Sequence, residues 1–71
     1  MKPVKGWVVV LKPPILDEYV MMQNSFHTYR RFSIAKFTGQ NDHNEISKKI
    51  WKAYRTNVNQ ARCIRVTLRA D

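Results

Sequence analysis

The residues best equipped for chemistry lie in the segment FHTYRRF, where Phe26, His27, Tyr29, Arg30, Arg31 and Phe32 interleave rings with cations. Unpaired nucleic acid is held by that combination, because aromatic faces stack on bases while guanidinium groups contact phosphates, each stacked base being worth about 1–3 kcal/mol. A second set of cations, Lys48, Lys49, Lys52 and Arg55, recurs at helical spacing, with only Glu45 close enough in sequence to offset it. A third, Arg65 and Arg69 on either side of Thr67, alternates at the two-residue period of a strand. Core packing for the rings and solvation for the cations is the plainer explanation of each group. Their recurrence in three separate segments points to an anionic partner.

Composition agrees. Thirteen Lys and Arg face five Asp and Glu among 71 residues, a formal net charge of +8. On so small a surface this sets up a positive potential that extends about 8 Å into physiological salt. Nucleic acid, RNA ahead of DNA, is the expected partner, and an acidic protein surface satisfies the same physics.

Catalysis has little to work with. His27, His43 and Cys63 lack metal-ligand spacing, and with Gly6 and Gly39 the only glycines there is no loop to cradle a phosphate. His27 beside Tyr29 and Arg30 has no evident second acid or base with which to cleave RNA. The chain is expected to be no enzyme and to need no cofactor or metal. A single cysteine excludes an internal disulfide and suits a reducing compartment. The apolar run Trp7 to Leu11 is only five residues long and is stopped by Lys12, Pro13 and Pro14, so neither a signal peptide nor a membrane span is expected. These readings place the protein in the cytoplasm, the host's if the chain is viral, with no membrane partner.

The elements that would carry these residues follow from periodicity. Residues 5–12, KGWVVVLK, form a β-branched run between Gly6 and the proline pair, apolar on both faces as a central strand would be. Residues 15–29 fit a short helix, through the spacing of Ile15, Tyr19, Met22 and Phe26, or an extra strand. Residues 30–38, RRFSIAKFT, alternate as a strand with Phe32 and Ile34 on one face. Asp42 and Glu45 make a D-x-x-E form of the capping box and open a helix over about 42–58. Ile46, Ile50, Ala53, Tyr54 and Val58 share one side of that helix, with Trp51 at the border and the basic stripe opposite. ARCIRVTLR then reads as a strand with Ile64, Val66 and Leu68 inward and Arg65, Thr67 and Arg69 outward.

One basic α+β domain over residues 1–71 is expected. It is a small two-layer sandwich, in which a three- to four-stranded, mainly antiparallel sheet carries one long amphipathic helix on one face. Trp7 and Trp51 are expected to meet across the two layers, Trp51 having the better claim to be an exposed anchor.

The succession RFSIAKF, DHNEISKKIWKAYR, CIRVTLR resembles the small two-layer accessory proteins that phages encode to inhibit or redirect host enzymes and toxins. That resemblance spans about the last 40 residues by pattern and implies a class of role without assigning any residue to it. Two functions stand side by side. One is a small accessory or regulatory protein that binds RNA through Lys48, Lys49, Lys52, Arg55, Arg30, Arg31, Arg65 and Arg69, stacking on Phe26 or Tyr29. The other is an inhibitor or antitoxin whose basic surface covers an acidic patch on an enzyme, possibly together with its RNA. The two-faced first strand also suits a homodimer.

Overall fold

The β-branched run behaves as its composition dictates. In a computed structural model describing residues 3–68, it forms strand β1 (Val4–Leu11), the middle of a three-stranded antiparallel sheet ordered β2-β1-β3. Strand β2 (Val20–His27) lies on one side and β3 (Arg62–Leu68) on the other. Two helices, α1 (Arg30–Thr38) and α2 (Glu45–Thr56), connect β2 to β3. The fold is a small α+β sandwich, and a slab: its backbone measures 38 × 31 × 14 Å.

Both helices cover the same face of the sheet. Val9, Ile34, Trp51 and Ala61 form the buried cluster, with Leu11, Phe37, Tyr54 and Cys63 packed around it. Helix α1 lies on the sheet, whereas α2 leans chiefly on α1. The joint between them is aromatic: Phe37 meets Trp51 and Tyr54 edge-on, at ring-centroid separations of 5.9 and 4.9 Å. Polar groups inside this layer pair with one another, the Ser47 hydroxyl lying 2.7 Å from Thr38 Oγ1 and 2.9 Å from His43 Nδ1.

Several sequence-based expectations change. Residues 30–38 are a helix, not a strand: the Ser33 N–H donates to the Tyr29 carbonyl at 3.0 Å to open the first turn, and Gly39 ends the segment in the left-handed conformation (φ 77°), its N–H donating to the Lys36 carbonyl at 3.2 Å. Of the two readings of residues 15–29, the strand holds for Val20–His27. Its ladder with β1 is interrupted between Trp7 and Val9, where the Ser25 hydroxyl accepts the Val9 N–H at 2.8 Å and donates to the Met22 carbonyl at 2.6 Å.

The long helix begins later than Asp42. Asn44 is its N-cap, its side-chain oxygen accepting the Ser47 N–H at 2.9 Å. Its packed side is centred on Trp51 with Ser47 and Tyr54, while Ile46, Ala53 and Val58 are exposed. The last strand is turned over: Cys63 faces the helices, so Ile64, Val66 and Leu68 lie on the opposite, uncovered face. Trp7 is half-buried and outside the core cluster, and among the described residues no ring pair joins it to Trp51.

Candidate nucleic-acid interface

Trp51 organises the basic residues. It sits in the middle of α2, 5% exposed, because Phe37 from α1 and Ala61 ahead of β3 close over it. Helical geometry then fixes its neighbours: Lys48 lies one turn before it, Arg55 one turn after, and Lys52 beside it. These side chains border two adjoining grooves that share Trp51 and Arg55. One, of about 410 Å³, is lined by His43, Lys48, Trp51, Lys52, Arg55 and Thr56. The other, of about 560 Å³, runs from Trp51 and Arg55 to Arg30 on α1 and to residues 60–64 along the edge strand β3. Meeting at Trp51 and Arg55, they form an open trough lined by cations from both helices and, among the described residues, by no acid.

Within the trough, Lys48 pairs with Glu45 at 3.5 Å, while among the described residues Arg30, Lys52 and Arg55 form no salt bridge. Cys63 lines the same trough and donates to the Ser33 hydroxyl at 3.8 Å. Burial raises its thiol pKa above the ordinary value, against the opposing effects of the Ser33 hydrogen bond and the Arg30 charge. At neutral pH it is therefore a thiol and a packing group rather than a nucleophile.

The remaining expected contacts are dispersed. Lys49 lies on the side of α2 away from Trp51. Arg31 is turned to Asp42 at 4.0 Å and to the face of Phe32, 4.6 Å from the ring centroid. Arg65 is exposed on β3 opposite Trp7, and Arg69 lies outside the described residues. Phe26 packs over Gly6 on the uncovered sheet face, where a Cβ on that glycine would come within 2.6 Å of its ring. Trp51 is too enclosed to offer a stacking face.

Tyr29 is different, being 64% exposed immediately before Arg30. Its ring meets Phe32 at 6.2 Å and His27 at 6.0 Å, so it stands on an aromatic base and keeps an open side. Neither His43 nor the strand-edge residues stood out in the sequence as part of this site. Both depend on the fold, His43 through its bond to Ser47 and Ala61 through its backbone N–H to the Tyr54 carbonyl at 3.0 Å. Arg62 also lines the trough, but its guanidinium lies over the ring of Tyr19, 5.8 Å from the centroid.

Among the described residues no three His, Cys, Asp or Glu side chains gather in metal-binding geometry, and no helix is long and apolar enough to cross a membrane. The chain matches no protein-family profile, no curated protein and no solved structure. Function has to be argued from the site.

Proposed function

We propose that the protein is a non-catalytic RNA-binding accessory protein of the cytoplasm, with the Trp51 trough holding the phosphate backbone and Tyr29 stacking on an unpaired base. One observation carries this reading: Arg30 from α1 and Lys48, Lys52 and Arg55 from α2 line two grooves that meet at Trp51 and Arg55, and among the described residues no carboxylate lines either. A guanidinium binds phosphate through paired N–H donors, and cations crowded in a concave site raise the local concentration of an anionic strand. The exposed ring next to Arg30 favours single strands, because a base in a duplex has no free face to offer. The accessory role is the one implied by the phage-protein resemblance, and if the chain is viral the compartment is the host cytoplasm.

Filter binding to a generic single-stranded RNA across a range of salt concentrations tests this reading. Three to four phosphate contacts should give log K against log[salt] a slope of roughly −2 to −3. Paired substitution Lys52→Glu and Arg55→Glu should abolish retention, and Tyr29→Ala should weaken binding by about 1–3 kcal/mol without changing the slope. No retention at low salt refutes the proposal. A protein captured from host lysate through the trough, and unaffected by nuclease, would replace RNA by an acidic enzyme surface and favour the inhibitor reading.

A further inference from the structure

No described residue outside the sheet covers the face opposite the helices, and that face is apolar. Val4, Met21, Ile64 and Leu68 are 48, 44, 38 and 44% exposed, although all belong to the strands of the only sheet formed by the described residues. Between them lies a hollow of about 280 Å³ lined by Val8, Met21, Gln23, Phe26, Val66 and Leu68. Ile64 stands next to this hollow, opposite Val8 in the ladder, without lining it. The face thus presents a recess and a protruding apolar side chain together.

We propose that this face is a homodimer interface in which two copies pack sheet against sheet. Charge disfavours the anionic partner that the trough would take: among the described residues the face has no cation at its centre, and Arg62 and Lys12, at one end, are both engaged with the ring of Tyr19. No described acid lies at its centre either, so a basic partner gains nothing from the described residues there. A two-fold interface brings like to like, and only a patch with an uncharged centre can do that without repulsion. In a chain of net charge +8, the centre of this face is a surface where a second copy can approach without meeting a described cation.

The area is sufficient. The exposed parts of these side chains amount to an apolar patch on the order of 400 Å², in the range of the largest and often functional patch on a small monomer. At the roughly 65% apolar share of homodimer interfaces this corresponds to about 600 Å² per copy. The total, near 1,200 Å², is the lower limit for a specific interface, so the dimer should dissociate on dilution.

An axis running across the strands sets the two copies antiparallel. The Arg62 end of each then meets the Leu68 end of the other, and Ile64 of each faces the other's hollow. The helices and their cations remain on the outer faces, while Arg62 and Ile64, which also line the trough where it reaches β3, stand at the rim between the two surfaces.

Sedimentation velocity on the intact chain from about 1 to 100 µM decides the matter, given that interfaces of this area span micromolar and tighter affinities. The expected result is a monomer–dimer equilibrium. Ile64→Lys, confirmed folded by circular dichroism, should remain monomeric at the highest concentration, and Lys49→Glu on the outer side of α2 should leave the equilibrium unchanged. A wild-type chain that is monomeric throughout overturns the proposal, whatever becomes of the variant. So does a dimer that persists in folded Ile64→Lys.

Discussion

Gly6 and Gly39 do not tolerate a side chain for unrelated reasons. Gly6 sits in β1 beneath the Phe26 ring, and an added Cβ would lie 2.6 Å from that ring and 2.7 Å from the His27 carbonyl oxygen. The ring can tilt, but the carbonyl belongs to the neighbouring strand and cannot withdraw without opening the sheet. Gly6→Ala should therefore cost about 1–3 kcal/mol, the usual penalty for forcing volume into a packed site. Gly39 has nothing within 4 Å of where its Cβ would be, yet its φ is 77°. Gly39→Ala pays only the left-handed backbone penalty of about 1 kcal/mol, and Gly39→Asn pays less because Asn adopts that conformation more readily. Urea denaturation of the three variants distinguishes the mechanisms. An Asn that rescues position 39, together with an Ala at position 6 costing no more than the Ala at 39, would show that the steric argument for Gly6 is wrong.

Strand β1 and the existence of helix α2 could be read from the sequence because each satisfies its own period in isolation, a β-branched run stopped by two prolines and apolar and basic residues at helical spacing, although the packed side of α2 centres on Trp51 rather than on Ile46, Ala53 and Val58. Segments β2 and α1 could not. In β2, five of eight residues are exposed in succession, so the inside–outside alternation that identifies a strand is missing. In α1 the buried residues Ser33, Ile34 and Ala35 are contiguous, so neither the strand nor the helical period marks the element in the sequence. The start of α2 was displaced for a related reason. Asp42 has the side chain of a cap, but its carboxylate accepts the N–H of the adjacent His43 at 2.7 Å, while Asn44 accepts from the first helical turn. Asn44→Ala should therefore lower stability by about 1 kcal/mol, as loss of an N-cap does. Asp42→Ala should cost less, since it removes a loop contact and an exposed 4.0 Å pairing with Arg31. Thermal melts of both variants check the assignment, and a larger loss from Asp42→Ala would return the cap to Asp42.

Across the whole molecule, the legible part of the candidate site was the helix stripe, because Lys48, Lys52 and Arg55 lie within one element. Arg30 joined them only through α1, the element whose pattern misled, and the enclosure of Trp51 needed residues from three parts of the chain. That convergence has a thermodynamic consequence independent of any ligand. Folding draws Arg30, Lys52 and Arg55 around one trough without a neighbouring acid, against their wider spacing in the unfolded chain, so the native state carries excess repulsion. Salt relieves it as the screening length falls from about 30 Å at 0.01 M to about 8 Å at 0.15 M. The melting temperature should rise by several degrees over that range, which for a domain of this size corresponds to roughly 1 kcal/mol. Arg55→Gln, at the junction of the two grooves, should raise the midpoint at low salt and flatten its dependence on salt, whereas Lys49→Gln on the outer side of α2 should do so far less. Melts in sodium chloride followed by circular dichroism provide the readout. If the wild-type midpoint stays level with salt, or the two variants behave alike, the cations are not crowded as the trough requires.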